Sequence, residues 1–285
     1  MTDKPDFEQP QGLIAPHILV DRKRFDDAEP REIVQATVDF VNWALRKARL
    51  RRGEFPPEAM LAYHVDYYGA QVENGGHRQF AFNSKMFAAM VADISVGLEA
   101  MGADRVLAVY RDFLELMTSD ADLARAAVGE SARPGTKPPA LDMFDRRFFA
   151  ADDLAERTAA WLRSLPCLKA MEPEEMRGET EAIVARNRHL AAREARATAI
   201  QAEADAKNPL LVAAKALCAE AGLTFQGLTV GSHTGKPDEM AWGLRTSRGM
   251  RFARLGPRDT TLYLDFNRTR PLVTLSWRDI GAPFA

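Results

Sequence analysis

Apolar residues recur at helical spacing through the first half of the chain. Between residues 31 and 49 they follow a period of 3.6, which predicts an amphipathic core helix. Similar patterns run from Pro56 to Asn74 and over 86–101, 104–117 and 152–165, where Asp152 is a candidate N-cap. We therefore predict an all-helical domain over residues 30–168. Residues 1–29 are rich in Pro, Asp and Gln without periodicity, which indicates a flexible arm.

Residues 172–206 have a different pattern, rich in Ala, Glu and Arg. Met176, Ile183 and Leu190 recur at heptad spacing, but the companion positions, such as Thr180 and Asn187, are polar. A coiled coil needs both rows to be apolar. This segment is therefore expected to form one long, exposed connecting helix.

Beyond Pro209 the period changes from about 3.6 to 2. A short apolar helix ends at Gly222, and alternating apolar positions then predict about five antiparallel strands separated by turns. The expected fold class is multidomain α and α+β. A C-terminal domain over residues 207–285 would hold an antiparallel β-meander covered by one helix.

The helical pattern is interrupted once by an Asn-Gly-Gly sequence and restarts at once. Both Asn and Gly tolerate backbone conformations that end a helix, so a tight helix, turn, helix joint is expected. Gln79 and Asn83 lie one helical turn apart and could reach backbone groups at the helix end, while Phe80 and Phe82 should face the core. We favour a structural role over ligand contact for the polar members of this motif, which comprises Asn74, Gly75, Gly76, Gln79, Phe80 and Asn83.

This motif, with the Leu-Asp, Asp-Arg and paired-Phe segment at residues 141–149, resembles the bacterial DNA-mimic protein family. The resemblance implies a helical domain that forms a homodimer and imitates duplex DNA with surface carboxylates, so that it sequesters a DNA-binding regulator. Two features depart from the family pattern. His77 stands where an aromatic residue is expected, and residues 1–165 hold 26 Asp and Glu against 21 Lys and Arg, a balance of only −5.

Composition limits the other classes of function. The 285-residue chain has a net charge of −2, which disfavours a nucleic-acid or membrane-surface protein overall. No apolar run approaches the length of a membrane span, and the N-terminal residues carry no signal-peptide pattern, so no membrane association and a cytoplasmic location are expected. Cys167 and Cys218 belong to no metal or disulfide pattern, and neither a metal nor a cofactor is predicted.

Basic residues concentrate near the C-terminus. Residues 245–278 contain eight Arg and no Lys against two Asp, and the alternation places Arg245 and Arg251 on the outward face of a hairpin. Three interpretations remain open: a charged face that protects strand edges, a dock for an acidic protein surface, and a phosphate-binding surface. The candidate residues in strands and turns are Arg245, Arg248, Arg251, Arg258, Arg268 and Arg270.

The leading hypothesis is a non-enzymatic module that binds another protein, with a DNA-binding regulator as one form of that partner. The alternative is direct binding of nucleic acid or a phosphate ligand through the C-terminal arginines. A third hypothesis, a hydrolase using His64 or His77 with nearby acids, rests on no recognised catalytic motif.

Overall fold

The chain forms two compact units, residues 1–193 and 194–285. The computed structural model describes residues 5–129, 139–151, 153–233 and 239–281. The first unit is helical with one two-stranded sheet, and the second contains a five-stranded antiparallel sheet with helices. The predicted fold class is thereby confirmed.

The helices of the first unit start and end where the sequence carries capping residues. Pro30 occupies the first turn of α2, and Asp153 accepts hydrogen bonds from the backbone N–H groups of Ala155 and Glu156 at the start of α8. The predicted cap, Asp152, lies outside the described residues. The helices are α1 (Arg22–Asp26), α2 (Pro30–Arg46), α3 (Pro57–Ser84), α4 (Ala88–Ala100), α5 (Asp104–Ser119), α6 (Ala121–Ala127), α7 (Asp142–Phe149), α8 (Leu154–Ser164), α9 (Pro173–Arg186) and α10 (Leu190–Lys207).

Aromatic side chains fill the centre of the first unit. Tyr68 lies among Phe80, Tyr110 and Phe148, with ring centroids at 5.0, 4.9 and 5.6 Å and the rings packed edge to face. Tyr68, Phe80 and Tyr110 are fully buried. This cluster fixes α3, α5 and α7 against one another.

The first 29 residues differ from the flexible arm that composition predicted. Ile18–Asp21 forms strand β1, which pairs in parallel with β2 (Leu168–Met171). Ile18 and Val20 are buried in a second core cluster with Phe40 from α2. Pairing with a strand some 150 residues away leaves no periodic signal in the local sequence, which explains the missed element.

The predicted connecting helix is also divided. It consists of α9 and α10, separated at Asn187, whose buried side chain donates to the Ala48 carbonyl oxygen at 2.7 Å and accepts from Gln11 at 2.8 Å. These long-range bonds hold Asn187 in a non-helical conformation and interrupt the helix. Ile183 of α9 is fully buried and α9 belongs to the first unit, whereas α10 passes into the second unit at Glu194 and is mostly exposed from there on.

The second unit is a meander whose strands follow in sequence order across the sheet. Helices α11 (Pro209–Glu220) and α12 (Trp277–Ile280) supply Leu217 and Trp277 to a core that includes Leu244 and Leu262. The strands are β3 (Phe225–His233), β4 (Met240–Thr246), β5 (Gly249–Leu255), β6 (Asp259–Tyr263) and β7 (Pro271–Ser276).

The β4–β5 hairpin corrects the expected placement of two arginines. Thr246 pairs with Gly249, so the loop has two residues, and Leu244 lies opposite Arg251 while Arg245 lies opposite Met250. Directly opposed residues share a face of an antiparallel sheet. A two-residue loop pairs even-numbered residues of one strand with odd-numbered residues of the other. Arg245 and Arg251, which are both odd-numbered, therefore lie on opposite faces of the sheet.

Candidate functional site

The Asn-Gly-Gly sequence forms a sharp joint inside α3. Gly76 has φ 73° and ψ −177°, a combination that is essentially restricted to glycine. A Cβ atom on Gly76 would overlap the carboxylate of Asp145 in α7. Glycine is therefore required at position 76 both for the backbone conformation and for the close approach of α7.

Three buried polar side chains connect the joint to the aromatic core. The backbone N–H of His77 donates to Oδ1 of Asp145 at 2.9 Å, and the ring Nδ1 lies 2.7 Å from the same oxygen. The other ring nitrogen, Nε2, is 2.9 Å from the hydroxyl oxygen of Tyr68. Burial holds the pKa of Tyr68 well above its ordinary value, so its hydroxyl stays protonated. The His77 ring is surrounded by aromatic rings, including Phe113 at 4.9 Å.

Hydrogen bonds between polar side chains connect the two helical segments on either side of the joint. Gln79 Nε2 and Asn83 Nδ2 donate to the same oxygen, Oε1 of Gln71, at 3.1 and 2.6 Å. The bonds to backbone expected for these residues are replaced by bonds to Gln71, which the sequence reasoning did not select. Asn74 is exposed.

Phe80 is fully buried, as expected, but the prediction for Phe82 was wrong. Its side chain is 44% exposed. The ammonium group of Lys85 lies 3.9 Å from the centroid of the Phe82 ring, a cation–π contact at the surface.

This geometry favours a structural role for the joint. His77 is fully buried and both of its ring nitrogens are engaged, so it cannot meet a substrate without local unfolding. The hydrolase hypothesis therefore loses His77 as a candidate base and keeps His64.

His64 belongs to a separate buried cluster. Its Nδ1 lies 2.8 Å from Oδ2 of Asp93, whose carboxylate also accepts from Arg52 at 2.9 and 2.5 Å. Burial lowers the pKa of His64, Asp93 opposes that change, and Arg52 adds to it. The cluster ties the loop before α3 to α4 around a neutral imidazole at neutral pH.

A cleft with several carboxylates lies between α2, α3 and α8 and encloses about 260 Å³. Glu32, Asp66 and Glu73 line it together with one cation, Arg31, whose Nη2 lies 2.9 Å from Oε1 of Glu73. Hydrogen bonding to Glu73 raises the pKa of Arg31, and Asp153 and Asp66 add to the rise. We call this feature, defined by Glu32, Asp66, Glu73 and Arg31, the acidic cleft.

Asp66 is a partly buried carboxylate of the acidic cleft, and its pKa is raised. Burial raises its pKa, Arg31 opposes the rise, and Glu73 adds to it. Its charge is therefore poorly compensated by the groups around it. A cation that entered the cleft would supply the missing compensation.

Elsewhere on the helical unit many surface carboxylates already have cationic partners. Asp112 lies 2.7 Å from Arg147 and Glu99 lies 3.4 Å from Arg111. Such pairs neutralise much of the surface charge locally. They disfavour an extended acidic strip. In the acidic cleft Glu73 pairs with Arg31 and Glu32 pairs with Arg24 at 3.4 Å, so among the described residues the cleft charge without an ion pair is that of Asp66.

The C-terminal arginines do not form one cluster. The β4–β5 and β6–β7 connections lie at the same end of the sheet, which brings Arg245, Arg248 and the 263–271 connection to that end. Arg268 and Arg270 belong to this connection. Arg258 lies at the opposite end, in the β5–β6 turn.

Within the described residues, no three His, Cys, Asp or Glu side chains are grouped so that they could hold a metal ion. No helix in the described part of the chain combines the length and apolar character that a membrane span requires. Neither finding identifies a ligand.

The first unit thus defines a class of protein: a helical domain built on a glycine joint, with carboxylates gathered in a cleft. Residues 53–165 match the family model of DMP19-like protein, a family of DNA mimics. The match contains the joint and α7 and confirms the predicted resemblance at the level of the domain. It covers 113 of the 285 residues, and neither a curated protein nor a solved structure matched the chain.

Proposed function

We propose that this chain acts by binding another protein, without chemistry of its own, and that the acidic cleft receives basic side chains of that partner. The observation that carries the proposal is the match of residues 53–165 to a DNA-mimic family. This region holds 17 Asp and Glu against 11 Lys and Arg, a balance of −6. The acidity of the first 165 residues therefore lies in the matched region.

The electrostatics of the acidic cleft support recognition of a cation. Asp66 and Glu73 repel each other when both are ionised, and Arg31 is the cation among the described residues that line the cleft. An incoming guanidinium or ammonium group would pair with carboxylates that are already partly desolvated. Partly buried pairs of this kind are stronger than fully exposed ones.

A DNA-binding regulator is the form of partner that we propose. Surfaces that bind phosphate groups are rich in Lys and Arg. A duplex carries one negative charge per roughly 1.7 Å of its axis. The helical unit does not sustain that density, because pairs such as Asp112 with Arg147 interrupt it. We therefore propose a local contact centred on the cleft rather than imitation of a long duplex.

Affinity capture of the tagged full chain from its native lysate, with and without nuclease, tests the proposal. The test form carries Glu32→Lys and Glu73→Lys, which reverse two charges of the cleft. The matched control carries Asp104→Lys and Glu115→Lys on the exposed face of α5, so both forms change the net charge by +4. Thermal melting verifies that each form is folded.

We expect a protein partner that survives nuclease, is retained by the control and is lost from the cleft form. Equal retention by both forms would place the contact outside the cleft. If no partner survives nuclease in any form, protein binding itself is refuted.

A homodimer, which the family resemblance implies, is part of the same proposal. Light scattering coupled to size exclusion should give twice the chain mass of 31.7 kDa. A mass of one chain at micromolar concentration would remove the dimer from the proposal and leave the cleft untouched.

A further inference from the structure

Among the described residues of the second unit, helices α11 and α12 pack on one face of the C-terminal sheet. The core of this unit gathers Leu244, Ala253 and Leu262 against α11. The registers place Phe252, Arg245 and Thr261 on the other face, since Phe252 lies opposite Gly243 and Tyr263, and Arg254 lies opposite Thr261. We call this surface the open face, defined by its exposed and partly exposed residues Arg245, Met250, Phe252, Tyr263 and Thr274.

The open face carries aromatic side chains that the core does not use. Phe252 and Tyr263 are directly opposed on adjacent strands and are only partly buried. Phe266 packs edge to face on Phe252 with ring centroids 5.3 Å apart, and it is 75% exposed. Met250 beside them is 40% exposed. Exposed aromatic rings on a strand surface form a platform on which a planar group can stack.

Positive charge surrounds this platform at one end. Arg245 shares the open face, Arg248 lies in the adjoining β4–β5 turn, and Arg268 and Arg270 lie in the connection that also holds Phe266. These segments, residues 240–255 and 263–271, contain a single acid, Asp265.

Asp265 is already committed to the structure of its own loop. Its carboxylate accepts from the backbone N–H groups of Thr269 and Arg270 at 3.2 and 3.0 Å. The opposite end of the sheet is different, because Arg254 pairs there with Glu239 and Asp259 at 3.0 and 2.6 Å. Positive charge and aromatic surface therefore coincide at one end only.

We propose that the open face binds single-stranded nucleic acid, with bases stacked on Phe252, Tyr263 and Phe266 and phosphates held by the surrounding arginines. Base stacking on aromatic side chains combined with cations along the backbone is the physical basis of single-strand binding. A duplex keeps its bases stacked on one another, so it cannot use the platform. An acidic peptide would satisfy the arginines but leave the rings unused.

This binding is independent of the partner proposed for the helical unit. Removal of charge from the acidic cleft should leave the affinity of the open face for single-stranded nucleic acid unchanged. The two proposals therefore fail or succeed in separate measurements.

Fluorescence anisotropy of the full chain with labelled oligo(dT), oligo(U) and a DNA duplex of equal length tests the inference. Both single strands should bind more tightly than the duplex at low salt, and the stronger of the two identifies DNA or RNA as the ligand. Phe266→Ala should weaken single-strand binding about 5- to 150-fold, the range for loss of one stacked base. Because Phe266 is exposed, this variant should fold normally.

Matched variants separate stacking from general attraction. Phe87→Ala removes a ring of similar exposure, 64%, from the helical unit and should leave single-strand binding unchanged. Phe252→Leu keeps apolar volume and should weaken binding. The double variant Arg245→Gln and Arg270→Gln should reduce the slope of log K against log salt by about 1.4, since each phosphate contact contributes about 0.7 for single strands.

Several results would overturn the inference. Equal affinity for duplex and single strands with no effect of Phe266→Ala would reduce the surface to a general anion site. Competition by poly-glutamate as effective as that by oligo(dT) would assign the face to an acidic protein. Absence of binding by either single strand at low salt and tens of micromolar protein would exclude a nucleic-acid ligand.

Discussion

Replacement of Arg193 by Met should destabilise the first unit by about 3–5 kcal/mol, the cost of leaving one member of a buried ion pair without its partner. The Arg193 guanidinium pairs with both carboxylate oxygens of Glu54 at 2.7 and 2.9 Å, and both side chains are almost fully buried. It also donates to the carbonyl oxygens of Phe7, Gln9 and Arg49 at 2.6, 2.9 and 3.0 Å. One side chain thus links α10 to the N-terminal segment and to the loop before α3.

The pKa of Glu54 gives this prediction a second, independent signature. Burial alone would raise the Glu54 pKa, but Arg193 and the backbone N–H groups of Arg51 and Gln11 hold it below its ordinary value. A carboxylate with a lowered folded-state pKa stabilises the protein above its unfolded pKa of about 4.3, and that stability is lost as the pH falls through the folded value. In the Arg193→Met protein, burial of the Glu54 carboxylate is no longer offset by the guanidinium, so its folded pKa should rise, and acidification that protonates Glu54 should recover part of the lost stability.

Urea denaturation followed by helical circular dichroism measures the effect. Adding Glu54→Gln to Arg193→Met should recover at least about 1 kcal/mol at neutral pH, because the uncompensated buried charge is then removed. Arg196→Met, three residues further along α10 and exposed, is the control and should change stability by less than about 0.5 kcal/mol. A loss below about 1 kcal/mol for Arg193→Met, or a double variant no more stable than the single one, would refute the reasoning.

Three further predictions concern the joint and the histidines. Gly76→Ala should cost at least about 3 kcal/mol by combining backbone strain with overpacking, whereas Gly178→Ala at an exposed position of α9 should stabilise by about 0.5–1 kcal/mol. Comparison of the two urea midpoints checks both. Tyr68→Phe should cost about 1–3 kcal/mol because His77 Nε2 loses its buried partner, and an unchanged melting curve would contradict this. His64 should titrate below pH 6.5 by NMR, because its folded-state pKa is lowered. The stability that it contributes should be present above about pH 6.5 and decline below it. A midpoint above pH 6.5 would contradict the lowered pKa.

Local periodicity was sufficient for most of the helices and for the meander. In α2 and α5 the apolar residues recur at helical spacing within a single element. The local sequence therefore indicates which face of each helix is buried. The Asn-Gly-Gly sequence likewise predicted the joint, because Gly76 adopts a conformation that other residues avoid.

Contacts between distant segments could not be predicted in this way. Asp145 is 68 residues from His77, and a lone Asp in an amphipathic helix gives no sign that it ends beside a glycine of another helix. Arg193 stands in an Ala-rich helix among other charged residues, with nothing local to mark it as buried. Both depend on tertiary packing, which brings together residues that the chain keeps apart.

The placement of Arg251 is a different case, because the sequence contained the necessary information. Ser247 and Arg248 form a two-residue loop before Gly249, and such a loop fixes which positions of the two strands oppose one another. Counting across the loop would have put Arg251 opposite Leu244. The error lay in placing Gly249 in the turn as a third loop residue, since a three-residue loop would pair Arg245 with Arg251.

The boundaries of the family match have a consequence for how this protein can be divided. Helix α2, which packs on α3 and α8, lies before residue 53, and the β1–β2 sheet and Arg193 also lie outside residues 53–165. A polypeptide limited to the matched region would expose the apolar surface that α2 covers and would lose the Arg193 side chain that pairs with Glu54. The unit that can be transferred, whether by gene fusion or in the laboratory, is therefore the whole first unit rather than the segment that matches the family model.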